Sequence, residues 1–162
     1  MTHTQFKYLF DDYFDTVRNY IYYRSGDSNL ATDIAQETFL RVWEKQLKIE
    51  DKKEKALLFK IAGDLFVSNY RKQKTLLQFK LHTKPDAFDQ SPEDEMQFEE
   101  LKSTYEKALA NMPEKQRVVF MMSRMDQHTY NEIAAALGLS KKAIEKRMKN
   151  ALDYLKSVIQ KT

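Results

Sequence analysis

Cysteine is absent from this chain of 162 residues, which also holds only three glycines and three prolines. Without cysteine there are no disulfides and no thiolate metal sites. The scarcity of glycine and proline, together with long runs at helical spacing, predicts an all-α protein. No run of about 18 apolar residues is present, so we expect no membrane insertion. Residues 1–7 lack the charged start and apolar core of a signal peptide, and we expect a cytoplasmic location.

A catalytic constellation is also missing from the sequence. The three histidines, at positions 3, 82 and 128, are scattered and lack the close spacing of a helical metal pair. No glycine-rich phosphate loop occurs. Adjacent carboxylates such as Asp11 and Asp12 lie in a polar helical context that is typical of solvated surface. We therefore expect a binding protein rather than an enzyme, with no cofactor and no metal ion.

Charge divides the chain into three parts. Residues 1–82 carry a net charge of +3, residues 83–102 carry −5, and residues 103–162 carry +5. The acidic part contains Pro85 and Pro92, and residues 83–95 lack a convincing helical stripe. The pattern predicts two small helical domains, at residues 1–82 and 99–162, joined by a short acidic linker at residues 83–98.

Residues 129–149 carry the most informative pattern. Ile133, Ala134 and Leu137 share one face of a helix that begins near position 129. Gly138 follows, where a helix often ends in a left-handed conformation. Ser140 then stands where the N-cap of a second helix belongs. Two helices around a glycine corner are typical of a helix-turn-helix, which places its second helix in the major groove of DNA.

The second of these helices is amphipathic. Its predicted inward stripe consists of Ile144, Met148, Ala151, Leu152 and Leu155, and its opposite side carries Lys142, Lys146 and Lys149. A lysine face alone is equally typical of a solvated helix surface. The order of helix, glycine corner, serine cap and basic helix favours DNA binding.

The first domain is expected to contain three or four helices, with three at about residues 4–23, 30–45 and 54–74. The outer side of the second predicted helix carries an exposed leucine among acids and an amide, at Asp33, Gln36, Glu37, Leu40 and Glu44. This side is either a protein-docking surface or a solvated acidic face. Phe39 and Trp43 lie between the two sides, and each can complete the core or anchor a partner. The third predicted helix ends in basic residues at 70–74. Their positive charge can either stabilise the negative end of the helix dipole or bind the phosphate backbone of a nucleic acid.

Three motifs stand in order along the chain. Residues 33–43, Asp-Ile-Ala-Gln-Glu-Thr-Phe-Leu-Arg-Val-Trp, resemble the polymerase-binding helix of bacterial RNA polymerase sigma factors of the extracytoplasmic-function class. Residues 58–62, Leu-Phe-Lys-Ile-Ala, followed by Tyr-Arg-Lys at 70–72, look like its promoter-melting helix. Residues 111–120, Asn-Met-Pro-Glu-Lys-Gln-Arg-Val-Val-Phe, lead into the helix-turn-helix as the family's second domain does. The resemblance covers residues 6–155 in the family's order.

The resemblance implies a division of labour between the domains. The first would dock on core RNA polymerase and hold a flipped base of the melted non-template strand at the −10 element. The second would read the −35 element of double-stranded promoter DNA. Carried over by position, the docking residues are Asp33, Gln36, Glu37 and Phe39. The −10 pocket would involve Lys52, Lys53 and Asp64, the groove-facing residues would be Glu145, Lys146, Lys149 and Asn150, and the phosphate contacts would be Lys142, Arg147, Arg71 and Lys72.

Departures from the family pattern and alternative functions accompany this interpretation. Asp64 stands where the family usually has asparagine, which implies a different base preference at the −10 element.

An anti-sigma factor is a further partner that the resemblance allows. One alternative is a helix-turn-helix regulator that never docks on polymerase. The other is an interaction protein that mimics a sigma factor and titrates a regulator.

Overall fold

The computed structural model describes residues 1–49, 53–70, 79–81 and 92–160. These residues form seven α-helices and no strand. Three helices precede residue 71: α1 (His3–Ser25), α2 (Ser28–Glu44) and α3 (Glu54–Tyr70). Four follow residue 91: α4 (Pro92–Asn111), α5 (Glu114–Arg124), α6 (Tyr130–Leu137) and α7 (Lys141–Gln160). The all-α prediction is confirmed, and none of these helices is long and apolar enough to cross a membrane.

Local sequence signals fix the ends of α1 and α2. The Thr2 hydroxyl accepts a hydrogen bond from the Gln5 backbone, and the Gln5 side chain accepts one from Thr2, which is a reciprocal capping box. The helix ends at Gly26, whose φ of 70° is left-handed. Asp27 then caps α2 by accepting from the Leu30 backbone at 3.0 Å.

Aromatic side chains build the core between α1 and α2. The rings of Phe6, Phe10 and Phe14 each lie within 6.4 Å of the Phe39 ring, measured between centroids. Further along α1, the Tyr20 ring stacks on Phe59 of α3 at 4.5 Å. These contacts hold the three helices together, and offset or edge-on ring pairs add to the stabilisation that burial of apolar area supplies.

The helix α4 begins earlier than the sequence suggested. It starts at Pro92, inside the segment that we predicted as a linker of residues 83–98. Proline is favoured at the first helical position, because its missing N–H has no partner there in any case. Glu93, Asp94 and Glu95 follow in the first turn, where negative charge complements the helix dipole. The exact domain boundaries remain a prediction.

The two helical groups contact each other directly. Helix α1 packs on α5, and α3 packs on α6. Arg117 of α5 is 2% exposed and donates hydrogen bonds to the backbone carbonyls of Tyr23 and Arg24, at the end of α1. It also donates to the carbonyls of Leu109 and Met112, at the end of α4. One guanidinium therefore satisfies carbonyls that two helix ends leave without intrahelical partners.

Candidate nucleic-acid interface and docking surface

The turn between α6 and α7 is built as the sequence predicts. Thr129 and Glu132 form a capping box at the start of α6, with both hydrogen bonds at 3.1 Å. The hydrogen bond from the Thr129 backbone lowers the pKa of the Glu132 carboxyl. Gly138 ends the helix at a φ of 67°, and the Ser140 hydroxyl accepts from the Ala143 backbone at 3.1 Å. These caps define the angle at which α7 leaves the corner.

Helix α7 has one buried and one exposed side. Ile144, Met148, Ala151 and Leu155 are buried, as predicted. Leu152 is 40% exposed, so its predicted place in the inward stripe is wrong. The packing of α7 against α4, α5 and α6 covers a narrower stripe than the five predicted residues would need.

The residues that were predicted to touch DNA lie on the uncovered side of α7. Exposed side chains are found at Lys142, Glu145, Lys146, Lys149 and Asn150, and Arg147 is partly buried. The exposed side therefore presents three ammonium groups, one carboxylate and one amide. Such a surface can neutralise phosphates and offer hydrogen-bond partners to base edges in the major groove.

The outer side of α2 forms a second candidate surface. Asp33, Gln36 and Glu37 are exposed, and Leu40 is 51% exposed beside them. Arg41 lies 3.6 Å from Glu37 one turn away, so the surface is not uniformly acidic. An exposed leucine surrounded by polar groups is a small apolar anchor that a partner can bury.

Phe39 does not belong to that surface. Its side chain is 1% exposed because three phenylalanine rings of α1 cover it. The prediction that Phe39 contacts polymerase is corrected accordingly: the ring supports α2 from inside. Trp43 is partly buried and packs against His3 and Phe6. Helical periodicity places both aromatics at the border between the inner and outer sides of α2. Packing against α1 determines how far each of them is buried.

A cavity of about 630 Å³ lies where α1 meets the segment between α2 and α3. The Tyr13 hydroxyl donates to the Glu54 carboxylate at 3.1 Å, and burial together with Glu54 raises the pKa of Tyr13. Lys48 and Ile49 line the cavity from the connecting segment. The remaining lining comes mainly from α1 and includes Thr4, Gln5, Tyr8, Leu9 and Asp12.

The predicted −10 residues relate to this cavity in different ways. The segment before α3 contributes Lys48 and Ile49 to the lining, and α1 contributes a wall that the sequence did not predict. Lys53 is exposed near the start of α3. Asp64 is exposed almost three helical turns beyond the cavity-lining Glu54 and does not line the cavity. Lys52, Arg71 and Lys72 lie outside the described residues.

Two family models match the chain in the order of the two helical groups. Residues 9–75 match sigma-70 region 2, and residues 103–155 match sigma-70, region 4. The second match contains α5, α6 and most of α7, and so includes the helix-turn-helix. The geometry and these matches define a two-domain transcription factor whose second domain binds DNA.

Curated relatives narrow the class further. The ferric citrate uptake sigma factor FecI of Escherichia coli K12 is 33% identical over 128 residues, which cover 76% of this chain and 73% of FecI. The ECF RNA polymerase sigma factor SigX of Bacillus subtilis is 28% identical over 159 residues, covering 93% of this chain and 81% of SigX. This chain belongs to the extracytoplasmic-function (ECF) sigma factors. It is a promoter-recognising factor whose partners are core RNA polymerase and promoter DNA.

A solved structure supports the fold over nearly the whole length. The sigma factor RpoE of Bartonella quintana, crystallised in complex with the anti-sigma factor NepR, matches with a TM-score of 0.63 and 20% identity. The match covers 96% of this chain and 97% of that one. The arrangement of helices is therefore shared with a sigma factor of known structure.

Proposed function

We propose that the exposed side of α7 reads the −35 element. Glu145, Lys146, Lys149 and Asn150 face the bases, and Lys142 and Arg147 contact phosphates. The observation that carries this assignment is the uncovered basic side of α7, directly after the capped corner at Gly138. An ammonium group can pair with guanine in the major groove, and a glutamate can accept from a cytosine amino group.

The outer side of α2 is the proposed polymerase-docking surface. Asp33, Gln36 and Glu37 supply polar contacts there, and Leu40 supplies the apolar anchor. Support comes from their joint exposure on one side of a helix whose other side is tied into the core. A helix-turn-helix regulator that acts alone has no need of this surface.

The cavity beside Tyr13 and Glu54 is the proposed site for a flipped base of the melted strand. Its volume is large enough for a nucleobase, and its lining combines apolar side chains with hydrogen-bonding groups. A captured base needs such a lining to replace the stacking that it loses. In this assignment α1 residues such as Gln5 and Asp12 join the segment before α3 in reading the base.

The chain acts without catalysing a reaction, in the cytoplasm, and RNA synthesis belongs to the polymerase. An anti-sigma factor, such as the one bound to the Bartonella RpoE, is a candidate regulator. Reconstituted transcription tests the whole proposal: the purified chain and core polymerase should produce transcripts from specific genomic sites, with footprints at both elements. Retention without initiation would favour a sigma mimic, and operator binding without retention would favour a free-standing regulator.

A further inference from the structure

The wall that α1 contributes to the cavity carries an exposed aromatic ring. Thr4, Tyr8 and Asp12 follow one another at four-residue steps of α1, so they share the face that borders the cavity. Tyr8 is 72% exposed, whereas the neighbouring Leu9 is buried and lines the cavity from the side of the core. A largely exposed ring beside an apolar wall can stack on a planar nucleobase.

The Glu54 carboxylate, at the start of α3, is oriented by a hydrogen bond. The Tyr13 hydroxyl donates to its Oε2 atom at 3.1 Å. Burial and the nearby Glu54 raise the pKa of Tyr13, so the phenol stays protonated and remains a donor. A carboxylate offers about four acceptor positions on its two oxygens. The bond from Tyr13 therefore leaves Glu54 able to accept two further hydrogen bonds from a group in the cavity.

The charged side chains of the lining favour a neutral guest that donates hydrogen bonds. Asp12 and Glu54 contribute two carboxylates, and Lys48 contributes an ammonium group. Two carboxylates repel a phosphate, so the sugar-phosphate backbone has no reason to enter. They accept from N–H groups instead, while Lys48 has only donors to offer. A base that fits this lining presents donors to a carboxylate and an acceptor to an ammonium group.

Guanine is the base that meets both requirements on its Watson–Crick edge. Its N1–H and its N2 amino group are adjacent donors, which match the two oxygens of a carboxylate, and its O6 acceptor lies next to them. Adenine and cytosine place a ring-nitrogen acceptor beside their single amino group, and thymine places its N–H between two carbonyls. A carboxylate that faces any of these three edges meets an acceptor, which leaves both groups without a donor.

We propose that this cavity selects guanine from the melted strand. Tyr8 stacks on the base, Glu54 accepts from its N1–H and N2 amino groups, and Lys48 donates to O6. Tyr13 is a positioning residue, because it acts by orienting Glu54. The inference rests on the proposed function, since it names the base that the capture site assigned above takes up. A guanine within the −10 element is then a requirement for efficient strand opening by this factor.

Base substitution in a DNA probe provides the first test, with the complete holoenzyme formed from this chain and core polymerase. The probe is a DNA fork made from a promoter that the holoenzyme footprints, with the non-template strand unpaired across the −10 element. An abasic site placed at each unpaired position in turn locates the captured base, where affinity falls most. Guanine at that position should bind roughly tenfold to a hundredfold more tightly than adenine, cytosine or thymine. Hypoxanthine keeps N1–H and O6 but lacks the amino group, so its affinity should fall between those of guanine and adenine.

Substitution of Glu54 and Tyr8 provides the second test. Glu54→Gln keeps an acceptor for Tyr13 but turns one oxygen into a donor, so the preference for guanine over adenine should fall to about threefold or less. Glu99→Gln makes the same chemical change at an exposed position of α4 and should keep the preference.

Tyr8→Ala removes the stacking ring and should weaken binding of the fork with any of the four bases by about tenfold. Tyr8→Phe keeps the ring and should recover most of that loss. A loss that Tyr8→Phe does not recover would contradict the stacking role.

The outcomes separate the inference from the proposed function. A holoenzyme that does not bind the fork, or that binds it equally well with an abasic site at every unpaired position, would overturn the proposed capture of a base. Capture with a preference for another base, or a guanine preference that Glu54→Gln leaves intact, would overturn only the selection of guanine. Should Glu54→Gln lose helical circular dichroism, the wild type decides: equal affinity for guanine and hypoxanthine would refute the contact with the amino group.

Discussion

The guanidinium of Arg117 donates a 2.7 Å hydrogen bond to the backbone carbonyl of Tyr23, a residue 94 positions earlier in the chain. The contact joins α5, in the second domain, to the end of α1, in the first. Since the Tyr23 side chain also binds Asp126, one residue of α1 is held through its backbone and its side chain at once. Burial, the Asp126 hydrogen bond and its charge raise the pKa of the Tyr23 phenol, so that it remains a donor at neutral pH.

Replacement of Arg117 tests how much this buried cation stabilises the fold. Arg117→Met keeps much of the volume but removes the donors to four carbonyls, and we expect the free energy of unfolding to fall by about 2–4 kcal/mol. Urea unfolding followed by circular dichroism gives the value. Lys115→Ala, an exposed change in the same helix, should stay within ~0.5 kcal/mol of the wild type. Equal stability of the Arg117→Met variant and the wild type would contradict the role of these bonds.

Substitutions at Gly138 test how much the left-handed backbone at the helix corner affects stability. A Cβ at this position would meet no atom within 4 Å, so the only penalty of Gly138→Ala is the left-handed backbone at a φ of 67°. We expect a loss of about 1 kcal/mol of stability. Gly138→Asn should lose less, because asparagine tolerates this conformation better than alanine. Thermal unfolding of both variants gives the comparison, and a larger loss for asparagine would count against the explanation.

The sequence predicted best where the structure is decided locally. Gly138 and Ser140 depend on neighbours within a few positions, and their predicted roles at the corner and the cap are confirmed. Phe39 and Leu152 were placed wrongly because each lies at the border of an amphipathic helix, where the packing of other helices decides exposure. Helical periodicity gives the direction of each side chain around the helix axis. It does not give the width of the face that the neighbouring helices bury.

The contact between the two helical groups had no signal in the sequence. A single arginine in α5 reads as a surface cation, because arginine is almost never fully buried without partners. Its burial depends on carbonyls at the ends of α1 and α4, which only the tertiary arrangement brings together. The wall that α1 contributes to the cavity escaped prediction for the same reason: Tyr8 and Asp12 approach Ile49 only after folding.

Removal of single lysines from α7 tests base reading. Lys149→Ala should weaken binding to the −35 element by ~1–3 kcal/mol if the ammonium group contacts a base. Lys107→Ala removes the same charge from an exposed position of α4 and should have a much smaller effect. Fluorescence anisotropy at several salt concentrations separates the two kinds of contact, since loss of a phosphate contact mainly lowers the salt dependence. If Lys149→Ala and Lys146→Ala both bind the −35 element as tightly as the wild type does, the assignment of base contacts to this side of α7 is wrong.

Paired substitution on α2 tests polymerase docking. Asp33→Ala combined with Gln36→Ala removes two exposed polar contacts without touching the core, so we expect weaker retention by core polymerase. Binding of the −35 duplex should be unaffected, because α7 lies in the other domain. Asp11→Ala combined with Asp15→Ala provides a control pair on exposed positions of α1. Parallel loss of polymerase and DNA binding in the α2 variant would point to misfolding instead.

The His128 side chain makes stability depend on pH in a predictable direction. Burial is the main cause of its lowered pKa; Lys55 adds to the effect, and Asp126 and Glu132 oppose it. The unfolded chain takes up a proton near the ordinary pKa of 6.5, whereas the folded protein resists protonation until lower pH. This contribution to stability is therefore present above pH 6.5 and is lost as the pH falls through the lowered value.

His128→Gln should remove that part of the pH dependence. Between pH 7.5 and 5.5 the wild type should lose more unfolding free energy than the variant does, as measured by urea titration at each pH. His3→Gln makes the same chemical change at an exposed position in α1 and serves as the matched control. Asp126 acts in the opposite direction, because burial raises its pKa and lower pH then favours the buried, protonated carboxyl. Because Asp126 is present in both proteins, coincident slopes for the wild type and His128→Gln between pH 7.5 and 5.5 would contradict the assignment to His128.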